Sequence, residues 1–163
     1  MSPHPIVPRR SVAEQAQLDA DLTDLFQQRI TFNQTLGLEA VSVQAPNPQF
    51  RLAMRPELVG HYLYGRLHGG VISAALDAMG GLALMVALGE KHADESAVQV
   101  LHRFAKMGTI DLRVDYLRPG VGEWFVATAQ VTRLGGRIGS TQMRLVNDQD
   151  TLIATGAAAY VIS

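Results

Sequence analysis

The run from Gly69 to Gly89, GGVISAALDAMGGLALMVALG, constrains this chain more than any other feature, because only Ser73 and Asp77 in it are polar. As a helix it is long enough to span a bilayer. Asp77 near its middle would cost about 2.5 to 3.5 kcal/mol in hydrocarbon, and alanine and glycine offset that far less than leucine or isoleucine would. A helix apolar on every side can equally be the buried centre of a soluble protein. The flanking segments decide between the two.

Upstream, Ser11 to Glu14 has capping-box spacing, and Leu18, Leu22, Leu25, Phe26 and Ile30 recur at helical intervals, so an amphipathic helix is expected to run toward Gly37. Two short strands follow, one in which Glu39, Val41 and Val43 alternate with Ala40, Ser42 and Gln44, the other carrying Phe50, Leu52 and Met54, with Pro46-Asn47-Pro48 as the turn. Downstream, Asp94 to Lys106 is acidic at its start, basic at its end and stopped by Gly108, which predicts a second amphipathic helix. Four strands then come in quick succession. Thr109 to Leu117 places Ile110, Leu112, Val114 and Tyr116 on one face, and Trp124–Leu134, Ser140–Val146 and Leu152–Ile162 follow at hairpin spacing, which predicts an antiparallel meander.

Two strands, one apolar helix and four more strands leave the helix one place: the sheet must curl round it, giving each half-buried strand face an apolar partner. The expected class is therefore α+β, the hotdog architecture of five to six antiparallel strands round a long buried helix. Ala74, Ala75, Ala78, Gly80 and Gly81 fit it, since small residues let strands approach closely, although the adjacent glycines cost roughly 1 kcal/mol each in helix propensity. At 163 residues the chain is expected to form one domain over residues 11–163 behind a flexible tail over 1–10, where Pro3, Pro5 and Pro8 precede Arg9 and Arg10 without the apolar run of a secretory signal. A cytoplasmic protein without a membrane span is expected.

Composition removes several chemistries. There is no cysteine, so a thiol nucleophile, a Cys-ligated zinc and an iron–sulfur cluster are excluded, and 14 basic against 15 acidic residues argue against a nucleic-acid partner. His4, His61, His68, His92 and His102 lack metal-site spacing, Ser73 and Ser140 are not in a nucleophile elbow, and no dinucleotide or phosphate loop is present. Neither metal nor cofactor is expected.

What remains is His68-Gly69-Gly70 at the start of the apolar helix, with Asp77 within it. Glycines ahead of a helix are compatible with a plain turn. They also permit close backbone approach to the first N–H groups, which lie at the positive end of the dipole and can hold a developing oxyanion. A carboxylate in an otherwise apolar helix is costly unless it is paired, solvated or used. Asp77 lies seven residues after Gly70, about 10 Å along one helix face, so one helix cannot bring both to one carbonyl. The two could meet only if a second copy supplies one of them.

The segment Tyr64-Gly65-Arg66-Leu67-His68-Gly69-Gly70, with Asp77 nine residues after His68, and the later run from Gly108 to Gly120, GTIDLRVDYLRPG, resemble the PaaI-type hotdog thioesterases. Within them the chain is most similar to the bacterial medium- and long-chain acyl-CoA thioesterases, over about residues 25 to 162. The resemblance implies hydrolysis of acyl-CoA to free acid and coenzyme A, with the Gly70 N–H polarising the thioester carbonyl, His68 and Gly69 shaping the loop, and Asp77 of the opposite subunit acting as general base or nucleophile. Thr109 matches a Ser or Thr that positions water or the carboxylate. Many members place an Asn or Gln six or seven residues before the histidine, where this chain has His61 and Tyr62; His61, which can donate a hydrogen bond and follows Gly60, is the better candidate. Arg118 and Arg137 resemble positions near the coenzyme A phosphates. The resemblance also implies a homodimer or a dimer of dimers paired edge to edge. Two other functions fit the fold: an acyl-thioester dehydratase or hydratase, which would want a histidine partner where the helix after Asp77 offers Leu82, and a noncatalytic acyl-thioester sensor, which has no need of Asp77.

Overall fold

The computed structural model describes residues 8–163. Helix α1 (Val12–Asp24) is capped by the Ser11 side chain, which accepts from the Glu14 N–H at 3.1 Å. Only half the expected capping box forms, because the Glu14 carboxylate instead accepts from the Ala97 N–H at 2.8 Å. The long helix expected toward Gly37 is interrupted. Leu25–Arg29 widens into a π-helical turn, Ile30 is extended, and α2 (Thr31–Leu36) restarts before Gly37 ends it in the left-handed conformation at φ 72°. Buried Asn33 stabilises the break by donating to the Phe26 carbonyl at 2.8 Å, a group that the interrupted ladder leaves in need of a donor.

Strands β1 (Leu38–Ser42) and β2 (Gln49–Ala53) appear as expected, but a bulge between Ala40 and Ser42 breaks the alternation, leaving Val41 56% exposed while Val43 is buried. A hairpin that the periodicity did not reveal, β3 (Val59–His61) and β4 (Arg66–Leu67), precedes the apolar helix α3 (Gly69–Lys91). The helix expected over 94–106 is shorter. A complete Ser96–Gln99 capping box starts α4 only at Ala97, and α4 (Ala97–His102) tightens into a 3₁₀ turn over Arg103–Lys106. Strands β5 (Gly108–Tyr116), β6 (Trp124–Leu134), β7 (Ile138–Asn147) and β8 (Leu152–Val161) complete the chain.

The six-stranded sheet has the order β1-β2-β6-β7-β8-β5. β6, β7 and β8 form the meander that their turns specify, but β5 pairs with β8 rather than β6 and so becomes an edge. That correction is a long-range choice which hairpin spacing cannot express. The sheet wraps α3, whose Ile72, Leu76, Met79, Leu82, Leu84 and Met85 are at most 3% exposed, each contributing about 1.5–3 kcal/mol of burial. Although Gly69–Lys91 has the length and hydropathy to cross a membrane, most of it is buried within the fold. Its C-terminal end is closed by Arg10, whose guanidinium donates to the carbonyls of Gly89 at 2.8 and 3.0 Å and His92 at 3.0 Å, where a cation also suits the helix dipole. The expected tail lies outside the described residues over 1–7, and at its other end Arg9 and Arg10 are docked, Arg9 to Glu90 at 2.7 Å.

The two central glycines of α3 differ in what surrounds them. A Cβ on Gly80 would stand 2.2 Å from the Tyr160 hydroxyl and 2.8 Å from Thr141 Oγ1, so β7 and β8 lie close on this side only because the side chain is missing. A Cβ on Gly81 would meet nothing nearer than the Phe26 ring at 3.9 Å.

Candidate active site

Asp77 lies two turns into α3 and faces the start of β5. Thr109 Oγ1 donates to Asp77 Oδ1 at 2.9 Å. The contact depends on a bulge: Thr109 is opposite Tyr160 and Asp111 opposite Ala159, so Ile110 is the extra residue. Regular alternation would place Thr109 with Asp111 and Arg113 on the outer face. The bulge turns it inward beside Tyr160 and leaves Ile110, expected with Leu112 and Val114, 54% exposed. Beyond it Arg113 pairs with Asp115 at 3.1 Å in solvent.

Tyr160 supports the same residue from behind, its hydroxyl donating to the Asp77 carbonyl at 2.9 Å. Burial, and then the negative charge of Asp77, push the Tyr160 phenol well above its ordinary pKa, so it remains a neutral donor. Beside Asp77 opens a cleft of about 470 Å³. Its floor is the small-residue face of α3, its walls are Phe26, Ile30, Phe104, Met107 and Leu112, and Gly70 and Ser73 lie at its other end. A larger recess of about 670 Å³ on the outer face of the sheet is lined by polar groups such as Arg113, Gln130, Gln142 and Arg144 and is remote from Asp77.

At the helix start, His68 is the N-cap, and its Nδ1 accepts from the Gly70 N–H at 2.8 Å. The donor expected to face a substrate carbonyl is thus held by the histidine two residues before it. Ser73 Oγ and the Tyr116 hydroxyl stand 3.0 and 3.1 Å from the Gly69 carbonyl oxygen and are hydrogen-bonded to each other, so one of them donates to the carbonyl while the other donates to its neighbour's oxygen. Tyr116 at the end of β5 therefore clamps the first turn of α3, while Thr109 at the beginning of β5 holds Asp77. β5 and α3 run antiparallel side by side, with one candidate group at each end.

The structure brings Thr109 to Asp77 and His68 to Gly70, and leaves the two pairs separated along α3. His61 ends β3 on the helix-start side, its ring stacked on Tyr62 at 5.7 Å and tilted on Tyr64 at 4.8 Å, and its buried Nδ1 has no partner among the described residues. Gly60 packs on His68, with only 2.5 Å from a hypothetical Cβ to the His68 Cα, which fixes His61 beside the loop. Arg118 donates to the Leu152 carbonyl at 3.0 Å, and Arg137 is exposed in the β6–β7 turn; neither lines the cleft. Sequence reasoning did not single out Tyr116, Ser73 or Tyr160 as site residues, because their contacts join different elements and leave no spacing signal. Among the described residues no group of three or more His, Cys, Asp or Glu could hold a metal ion.

This geometry can be set beside known proteins. Residues 64–154, from the loop before α3 into β8, match the Thioesterase superfamily. The chain belongs to the thioesterase superfamily. The medium/long-chain acyl-CoA thioesterase YigI of Escherichia coli K12 is 37% identical to this chain over 139 residues, covering 85% of this chain and 90% of the relative. A crystal structure from Shewanella oneidensis, related to the thioesterase superfamily, superposes with a TM-score of 0.87 at 36% identity, covering 91% of this chain and 97% of that one. Another from Syntrophus aciditrophicus has a TM-score of 0.79 at 33% identity, covering 94% and 100%. The α+β hotdog fold expected from the sequence is the fold of this superfamily member, a six-stranded antiparallel sheet round α3.

Proposed function

We propose that this protein hydrolyses medium- to long-chain acyl-CoA thioesters, through sites shared between two copies of the chain. The observation that carries the reading is the Thr109–Asp77 contact at the mouth of an apolar cleft. It holds Oδ1 and leaves Oδ2 to take a proton from water. As the water oxygen bonds to the thioester carbon, the proton passes to Asp77, charge gathers on the carbonyl oxygen, and the carbon–sulfur bond breaks. The thiolate leaves with the proton from Asp77, and the acid and coenzyme A are released.

The developing oxyanion needs a donor, and the Gly70 N–H, at the positive end of α3, supplies it once the carbonyl takes the place of His68 Nδ1. Within one chain that N–H is about 10 Å of helix from Asp77. The free edge of β5 supports a dimer that closes this gap. Antiparallel pairing of β5 with its copy about a two-fold axis near Leu112–Arg113 sets the Tyr116 end of one strand beside the Thr109 end of the other, and so Gly70 of the partner subunit beside Asp77. Ile110 and Tyr116, each 54% exposed, together with Leu117 at 48%, would be covered by that pairing.

In this reading residues 11–163 act as one thioesterase domain, Gly69 and His68 shape the donor loop, His61 orients the thioester from the loop side, and the exposed Arg118 and Arg137 meet coenzyme A phosphates. A homodimer or dimer of dimers working in the cytoplasm completes the proposal. Purified protein assayed for thiol release from acyl-CoAs tests it. Wild type should turn over, and Asp77→Asn should lose several orders of magnitude in kcat with its melting temperature kept, because the amide has the same shape but cannot accept the proton. An Asp77→Asn variant as active as wild type would refute the assignment.

A further inference from the structure

We propose that Gly81 and the Phe26–Phe104 ring pair set the length of acyl chain this enzyme accepts, an inference that rests on the acyl-CoA reading above. Gly70, Ala74, Asp77, Ala78 and Gly81 recur at helical spacing along one face of α3 and line one cleft. Gly81 lies four residues past Asp77, about 6 Å further along the helix. Packing does not explain its glycine. Gly80, one residue earlier, is needed by Tyr160, whereas a Cβ on Gly81 would find only the edge of Phe26 at 3.9 Å, in van der Waals contact and without crowding. A glycine inside a helix is unfavourable relative to alanine, so open space beside one, in a cleft that begins at a carboxylate, points to a group that comes from outside the chain.

Two rings wall the cleft on the Gly81 side. Phe26 is 2% exposed in the π-helical turn, and Phe104 meets it edge to face at 5.4 Å from the 3₁₀ turn after α4. An acyl chain whose carbonyl is at Asp77 can lie along Ala78 and Gly81 until it meets this wall. Each methylene buried on the way raises kcat/KM by about fourfold. Carbons beyond the wall must displace Phe104, the half-buried ring of the pair, and add nothing.

The test uses the full chain as wild type, Gly81→Leu and Phe104→Ala, with two readouts. One is kcat/KM for saturated acyl-CoAs from butyryl to stearoyl, and the other is displacement of a fluorescent polyene fatty acid by saturated fatty acids of the same lengths. Gly81→Leu fills the floor with a four-carbon side chain and should move the optimum to shorter substrates, with a loss of roughly 50- to 100-fold for chains that had buried about three more methylenes there and the smallest loss for butyryl. Phe104→Ala should move it to longer ones. Gly81→Leu that melts no lower than wild type but keeps the wild-type length profile in both readouts would overturn the proposal, as would an equal loss at every length. Wild type that hydrolyses no acyl-CoA, yet binds fatty acids with a length profile that Gly81→Leu shortens, would remove the hydrolytic reading and leave the length determinant standing.

Discussion

Exchanging each of two adjacent glycines for alanine should change stability in opposite directions. Gly81→Ala places a methyl 3.9 Å from the Phe26 ring and replaces a helix-interior glycine, so it should stabilise by about 0.8–1 kcal/mol. Gly80→Ala has the same propensity gain, but its methyl would be 2.2 Å from the Tyr160 hydroxyl and 2.8 Å from Thr141 Oγ1. Relieving that overlap costs about 1–3 kcal/mol of overpacking. It also moves Tyr160 off the Asp77 carbonyl, losing a hydrogen bond worth about 0.5–1.5 kcal/mol. The net is a loss near 2 kcal/mol, and for a chain of this size each kcal/mol shifts the melting temperature by about 2–4 °C. Gly81→Ala should therefore melt about 2–4 °C above wild type and Gly80→Ala about 4–8 °C below, measured by circular dichroism at one protein concentration so that association does not differ between samples. Equal melting temperatures for the two variants would refute the close approach of β8 to α3 that places Asp77.

Other consequences can be measured separately. Thr109→Val removes a hydroxyl that donates to a carboxylate oxygen, and since Thr109 is exposed the loss should be near the lower end of 1.5–3 kcal/mol, about tenfold in kcat with KM and melting temperature nearly unchanged; steady-state kinetics decide it. Arg103 donates to Glu95 through two nitrogens and holds its carboxyl below the usual range. The folded pKa is the depressed one, so the contribution is complete above the unfolded value near 4.5 and fades as pH falls through the folded value. Urea unfolding across that range should show Glu95→Gln losing less stability on acidification than wild type does.

The sequence announced some of this arrangement and concealed the rest, for physical reasons. An apolar helix with one carboxylate can be read locally, and so can the β6–β7–β8 meander, whose turns leave few alternatives. The place of β5 at the far edge depends on pairing with a strand 44 residues later, Gly108 with Val161 being 53 apart and Tyr116 with Ala154 being 38, and no local pattern encodes that choice. The bulge at Ile110 is similarly silent, yet it alone turns Thr109 toward Asp77, a contact foreseen only through family resemblance. Gly70 was legible as a helix-start donor, while its bond to His68 depends on a side-chain rotamer. Tyr116 and Tyr160 read as ordinary strand tyrosines until the fold sets one over Gly69 and the other behind Asp77.

The central claim is that Asp77 and the Gly70 donor act together from different copies, and subunit mixing tests it most directly. Asp77→Asn removes the base. Gly70→Pro removes the N–H in a first helical turn that tolerates proline. Each variant should be inactive alone. Random exchange at equal concentrations makes half the dimers mixed, each with one intact site of two, so activity should return to about a quarter of wild type. Mixed dimers verified by differential tagging that remain as inactive as either parent would contradict the shared site.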